Sequence, residues 1–367
     1  MQYNIAFYIS GHGYGHSIRA IEIIKMLLAM RDNTFVHIRT GAPQWLFADV
    51  LGERCQHHAV HLDVGAVQQN SFSVDKKATL QQYASLISRY SSLLETEKNF
   101  LVGRNINIVA SDITPLAFDA AKEAGIPAIA IGNFSWDWIY GAWMDKYKEF
   151  SFVVQHIRRS YQKANLLLRL PFYGDMSVFP RIKDISLIGR KAERSGANVR
   201  EKLGFHVQGD RKLVLLGMRY DDLKLVRWPT VTRSSRFWFL TNKAEIRGEN
   251  IRHFQEGDVP FQDIVNACDA VLSKPGYSII AECITNCTPM LYIPRDDFVE
   301  DSVLRKGLEE FAVCEKMPIE EYEKGQWQAY LDRLFAKPNH WPEIKTDGAM
   351  VAAQEILHTA GRATRDE

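Results

Sequence analysis

Cysteine is scarce in this chain, and its placement excludes two classes of protein. Among 367 residues there are five, Cys55, Cys268, Cys283, Cys287 and Cys314, an odd number with no CxxC pair. A disulfide framework or a zinc knuckle is therefore not expected. Buried packing is the expected role, Cys283 and Cys287 lying one helical turn apart, and a reducing compartment fits that usage. Long apolar runs are also missing. The longest apolar helical stretch, residues 21–30, is interrupted by Glu22 and Lys25, and a membrane span needs ~20 apolar residues. The opening MQYNIAFYISGHG has no basic leader, so a signal peptide is not expected and a cytoplasmic location is. An excess of one charge is missing too. Lys+Arg is 45 and Asp+Glu is 44, which leaves nothing to neutralise a nucleic-acid backbone. Internal repeats, low-complexity tracts and His/Cys/Asp groups at metal-ligand spacing are all lacking, so neither a metal nor a bound cofactor is expected.

What is present is an ordinary globular composition, 46% hydrophobic and 24% charged, on a chain long enough for two domains. Short apolar runs alternate with amphipathic segments. Residues 4–10, 34–39, 106–111 and 128–131 read as buried parallel strands. Residues 17–30, 43–51, 78–103 and 115–124 read as the helices between them. The pattern returns with strands at 212–217, 236–240, 270–273 and 290–293, and helices at 261–267 and 278–285. Residues 171–196, rich in Pro, Gly and charge, read as linker and domain entry. Residues 347–359 read as a terminal helix with a capping Asp. Repeated βα units imply doubly wound parallel sheets. The expected division is 1–180 for an N-terminal Rossmann-like domain, 181–345 for a C-terminal one, and 346–367 for a helix packing back on the first.

Two segments carry chemistry. The first, SGHGYGHSIRA, runs from Ser10 to Ala20 between a strand and a helix. Gly11, Gly13 and Gly15 permit close approach of a ligand, and the helix start favours anions. His16 and His12 stand where a general base at a strand's carboxyl edge would stand, with backbone capping as the alternative for each. Arg19, a turn on, points either to phosphate or to solvent. Asp112, just past another strand, could orient His16, act as base itself, or cap the helix near Pro115. The segment NFSWDWIY sits past a further strand, where Asn133, Trp136, Trp138 and Tyr140 could form a stacking platform and Asp137 could bind a hydroxyl. Core aromatics under a loop are the competing reading.

The second segment is SKPGYSIIAECITNCTPMLYIPRDDF. After the strand ending at Ser273, Lys274 and Gly276 lead to a helix start whose amides near Tyr277 and Ser278 could meet a diphosphate. Glu282, about one turn in, could accept hydrogen bonds from two ribose hydroxyls, or simply complement the helix dipole. Arg295, Asp296 and Asp297 follow the next strand, as ligands of a donor sugar or as a solvated turn.

These residues resemble the donor-nucleotide motif of the GT-B glycosyltransferases, distantly that of the bacterial muramyl-peptide N-acetylglucosaminyltransferase. The likeness is closer to the glycosyltransferase-like N-terminal portion of the L-arabinokinases. It rests on GHGYGH (11–16), DVGAVQ (63–68), SDITP (111–115), NFSWDWIY (133–140), SKPGYSIIAEC (273–283) and PRDDF (294–298). The resemblance implies a GT-B fold with two Rossmann-like domains facing a cleft. It puts Gly276, Ser278 and Glu282 on the nucleotide-sugar side and the His12/His16 loop on the acceptor or catalytic side. No sugar-kinase portion is part of this sequence, so kinase activity is not implied. Where GT-B chains carry a glycine-rich turn, this one has Gly217-Met218-Arg219-Tyr220, with Arg219 as a possible charged substitute. The expected activity is metal-independent transfer of a sugar from a nucleotide-diphosphate donor to an unidentified acceptor. A nucleotide-sugar hydrolase or epimerase, or a non-catalytic nucleotide-sugar-binding protein, are the alternatives on the same scaffold.

Overall fold

The computed structural model describes residues 2–205 and 211–363. It divides into two units. The first comprises the residues up to Val67, Asp75–Ile188 and those from Lys345 on, and the second comprises Gln68–Val74 and Gly189–Ile344.

In the first unit the strands are β1 (Tyr3–Ile9), β2 (Thr34–Thr40) and β3 (Cys55–Ala59). The chain then places β4 (Gln68–Asn70) and β5 (Ser73–Val74) as an antiparallel ribbon in the second unit. It returns with β6 (Ile108–Asp112), β7 (Ala128–Gly132), β8 (Leu166–Arg169) and β9 (Ile182–Asp184). The first unit's seven strands lie parallel in the order β3-β2-β1-β6-β7-β8-β9. β1 is buried from Ile5 to Ile9. Its near-continuous apolar run is what a strand covered on both faces needs. The terminal helix Gly348–Ala363 packs on the helix Tyr14–Met30 of the same unit.

The second unit carries β10 (Lys212–Leu216), β11 (Phe237–Thr241), β12 (Ile251–His253), β13 (Ala270–Ser273), β14 (Met290–Tyr292) and β15 (Cys314–Lys316). They too are parallel, in the order β12-β11-β10-β13-β14-β15. One face is filled by Phe237, Phe239, Leu291, Tyr322 and Trp327.

Three expectations change. The long helix over 78–103 is two helices, Lys76–Ser88 and Tyr90–Gly103, with Arg89 between them at φ −108°, ψ 5°. The break lets Tyr90 turn inward, where its hydroxyl donates to Asp119. The helix over 43–51 is one 3₁₀ turn, Gln44–Phe47. The stretch read as linker over 171–196 holds β9, an exposed edge strand pinned by Arg169 Nε on Asp184 Oδ1 at 2.6 Å.

Candidate functional site

Parallel sheets that wind in two directions leave a crevice at the carboxyl ends of the two strands where the winding reverses. In the first unit those strands are β1 and β6, with Ile9 opposite Asp112. In the second they are β10 and β13, with Leu216 opposite Leu272. Both chemistry-bearing segments begin at these points.

In the first unit the Ser10 amide donates to the Asp112 carbonyl (2.8 Å), so the loop leaves β1 directly over β6. Gly13 takes φ +77° at the helix start, a conformation that favours glycine. In its first and second turns, His16 and Arg19 reach Asp112 at the end of β6. Asp112 is fully buried. Its Oδ2 accepts from Arg19 Nε (2.5 Å), and its Oδ1 from Arg19 Nη2 (2.6 Å) and His16 Nδ1 (2.8 Å). Arg19 Nη1 donates to Asn133 Oδ1 (2.8 Å). Burial would raise the Asp112 carboxyl, but the Arg19 guanidinium, then His16, outweigh it and hold it below the usual range. The shorter contact of His16 Nδ1 is with the ionised Asp112 rather than with Arg19 Nη2 (3.1 Å), which favours Nδ1–H and leaves the Nε2 lone pair as the acceptor. Nε2 makes no hydrogen bond among the described residues. This is the geometry of a general base held from behind by a carboxylate.

His12 is placed differently. Its Nδ1 accepts from the Ala66 amide (3.2 Å), so that nitrogen is engaged by the backbone and not turned to a ligand. Gly65, at φ +71°, makes this possible: a Cβ there would lie 2.4 Å from His12 Cβ. Trp136 is wholly buried, edge-on to His12 and Phe134 and tilted on Tyr140. As placed it is a wall beneath the loop and offers no open face to a sugar. Asp137 is buried and takes Arg158 Nε (3.1 Å). Burial raises its carboxyl despite bonds from Ser135 and Arg158.

Asp63 is a residue that the chemical reading of the sequence passed over, although it begins the DVGAVQ motif. It lines a polar cavity of about 110 Å³ together with Gly11, His12, Arg39, His61 and Thr114. Burial holds its carboxyl above the ordinary range, against bonds from the Ser10 hydroxyl and the Gly11 amide and the nearby His16 ring. Thr114 Oγ1 also donates to it, at 3.4 Å.

In the second unit Ser273 Oγ donates to the Gly217 carbonyl (2.6 Å), tying β13 to the end of β10. Lys274 and Pro275 then turn into the helix Tyr277–Thr285, whose N-cap, Gly276, is extended and adds no side-chain cap. Lys274 Nζ lies beside this N-cap, 3.4 Å from where a Cβ on Gly276 would stand. Lys274 is depressed to about 7, first by burial and then by Arg295, with Glu300, Asp222 and Asp301 pulling the other way. No hydrogen bond or ion pair reaches its Nζ among the described residues. Arg295 is buried, with Nε on Asp301 Oδ1 (3.1 Å), and Asp301 Oδ2 also pairs with Arg305 Nε (2.9 Å). Asp297 and Arg219 are exposed. Tyr277 is buried and Ser278 half-buried at the helix opening.

Glu282 is engaged within the protein. It is 2% exposed, and Arg190 Nε donates to its Oε1 at 2.6 Å. A buried carboxylate must be paired, and Arg190, beyond the reach of any local pattern, does it. Asp222 is likewise a hub: buried, it accepts from Ser71 N (2.6 Å), Ser71 Oγ (2.7 Å) and Arg219 N (3.1 Å). Among the described residues no His/Cys/Asp/Glu group could hold a metal ion, and no helix is long and apolar enough to cross a membrane.

Two parallel Rossmann-like sheets, each with its loop at a winding reversal, define the GT-B fold, and solved structures bear this out. The glycosyltransferase of kitacinnamycin is similar at a TM-score of 0.63 and 15% identity, over 100% of this chain and 97% of that one. The glycosyltransferase VinC, in complex with dTDP, is similar at 0.56 and 13%, over 99% and 98%. In sequence the chain is 32% identical over 368 residues to L-arabinokinase of Arabidopsis thaliana, across 97% of this chain and 34% of that protein. It thus spans about a third of the length of the curated relative it matches. No family model matches the chain.

Proposed function

We propose that the chain is a glycosyltransferase that takes a sugar from a nucleoside-diphosphate donor held by the second unit and passes it to a hydroxyl on a molecule held by the first. The observation that carries this is the His16–Asp112–Arg19 constellation at the β1/β6 reversal. Asp112 is charged, compensated by Arg19, and bonded to His16 Nδ1. His16 Nε2 then removes the acceptor's proton as the oxygen attacks the anomeric carbon and the diphosphate leaves. The leaving group gains charge, and Lys274, Arg295 and the helix start at Gly276 are the groups that stabilise it, with no metal required. Solved GT-B glycosyltransferases that share the fold, one of them holding dTDP, support the reading. Ser278, Tyr277, Asp297 and Arg219 belong to the donor side of this proposal, and Gly13, Gly15 and Asn133 to the loop and shell of the base. Glu282 contributes by anchoring Arg190.

His16→Ala is the test. Turnover should fall by about 10²–10⁴-fold, the usual worth of a positioned base, while donor affinity stays unchanged. Unchanged turnover removes His16 from the mechanism. Rapid release of free sugar from donor without any acceptor would instead favour a hydrolase.

A further inference from the structure

A polar cavity in the first unit is built around a carboxyl group, Asp63, that no cation pairs among the described residues. Arg39, on its wall, is paired with Glu97, which also accepts from the Tyr8 hydroxyl (2.9 Å). Asp112 is paired with Arg19. Asp63 has only neutral donors, the Ser10 and Thr114 hydroxyls and the Gly11 amide, and no cation lies within ion-pairing distance among the described residues. Ser10 Oγ in turn accepts from the His12 amide (3.3 Å), which orients its hydrogen toward the carboxylate. The chain preserves this space at a cost in conformational freedom. Gly41 and Gly65 flank it, and a Cβ on Gly41 would strike His61 Nδ1 at 2.4 Å.

A carboxylate with spare lone pairs in a polar hole takes ligands that donate hydrogen bonds. At about 110 Å³ the cavity holds on the order of four waters. That is well below the roughly 300–1,000 Å³ of pockets that engulf drug-sized apolar ligands. Its volume and lining suit the hydroxylated edge of one sugar or cyclitol ring, and exclude a fused aromatic aglycone. We infer that this cavity is a polyol subsite, in which Asp63 clamps two adjacent hydroxyls of the acceptor and thereby aims a third toward His16. The assignment deepens the transferase reading and rests on it for the word acceptor, while the binding itself is independent of it.

The experiment uses the whole chain and three probes: myo-inositol, D-galactose and D-xylose. Ethanolamine and p-nitrophenol serve as cationic and aromatic comparisons. Saturation-transfer NMR and titration should show the polyols binding and p-nitrophenol not competing. Asp63→Asn, which keeps shape and removes the charge, should weaken polyol binding at least tenfold, and Thr114→Val several-fold. UDP and dTDP titrations, read on the same samples, should stay as in the wild type, with a cooperative melt showing each variant folded. Polyols failing to bind the wild type, ethanolamine alone binding, or both variants binding polyols normally would each overturn the subsite. Polyol binding that depends on Asp63, in a protein that binds no nucleoside diphosphate, supports the cavity assignment and sinks the transferase reading instead.

Discussion

A lysine that titrates near neutrality converts anion binding into proton uptake, and Lys274 offers that measurement. Its ammonium is lowered to about 7 by burial and by Arg295. A diphosphate set against Nζ supplies the missing opposite charge and returns the group to its cationic form. At pH 8 an amine of pKa about 7 is roughly one-tenth protonated, so saturating binding should take up about 0.9 proton per site. Near pH 6 the amine is already about nine-tenths protonated and the uptake should fall to about 0.1. Calorimetric titration of UDP or dTDP in buffers of different ionisation enthalpy gives the proton count directly. The higher pH is the cleaner one, because a terminal phosphate with pKa about 6 is then fully ionised on its own. Lys274→Met should abolish the uptake. Losing one charge-assisted hydrogen bond of about 1.5–3 kcal/mol should also weaken binding by about 10–150-fold. In the ligand-free protein the depressed value acts against stability. The unfolded chain holds the proton more tightly, so the cost is complete below about pH 7 and disappears only as pH rises toward that of a free lysine. The methionine variant should therefore melt higher than wild type at and below pH 7 while binding worse. Diphosphate binding at pH 8 with no proton uptake, or uptake that survives in Lys274→Met, refutes the placement of this amine against the ligand.

Three further outcomes follow from the geometry. Asp112→Asn leaves Arg19 buried without its counter-charge and should cost about 3–5 kcal/mol of stability. The surviving folded fraction should show a reduced kcat with little change in the KM for donor, and an unaltered kcat would detach Asp112 from His16. Arg190→Ala strands the Glu282 carboxylate, with a similar expected loss of about 3–5 kcal/mol in denaturant titration. The double replacement Arg190→Met, Glu282→Leu should recover most of it, and a failure to recover would give Glu282 a role beyond the pair. Gly65→Ala forces a side chain into left-handed backbone and against His12. It should cost about 1–3 kcal/mol and lower acceptor-side activity more than UDP or dTDP binding, whereas equal effects on both would point to general unfolding.

The doubly wound character of both units was legible in the sequence because buried parallel strands are nearly continuous apolar runs, and β1, β6, β7, β10 and β13 are of that kind. β9 was not, since Ile-Lys-Asp on an exposed edge has no periodicity to read. The break at Arg89 was hidden because residues on both sides of it are helix-compatible, and what ends the first helix is the burial of Tyr90 against Asp119. At the site, His16 and Lys274 stood out because each follows a strand end with glycine or proline beside it, and Asp112 because it closes a strand three residues before Pro115. Asp63 and Arg190 lie in irregular stretches, and their importance comes from partners 51 and 92 positions away, Thr114 and Glu282. Local pattern left two residues with two readings each for the same reason. Glu282 and Trp136 have the right chemistry at the right place in the chain, but their burial depends on packing that only the fold supplies.

The bookkeeping of charge distinguishes the two reversal points better than any single residue. Around β1 and β6 the strong charges cancel in pairs, Arg19 with Asp112 and Arg39 with Glu97. What those pairs leave is the His16 Nε2 and the Asp63 carboxyl, groups that can accept from hydroxyls and offer no cation to a phosphate. Around β10 and β13 Arg190 is matched by Glu282, and Arg295 and Arg305 share Asp301. Lys274 is left there without an ion pair among the described residues, a cation held short of full charge until an anion arrives, near a buried Asp222 that is met by Ser71 and the Arg219 amide. Interchanging the ligands between the two points would place a diphosphate against Asp63 and a neutral alcohol against a buried amine, and both arrangements are penalised by desolvation. On the proposed function the two loops divide the ligands by the charges each leaves unpaired, and a protein carrying both Asp63→Lys and Lys274→Asp should bind neither a polyol nor a nucleoside diphosphate, although its net charge and its fold-defining strands are unaltered.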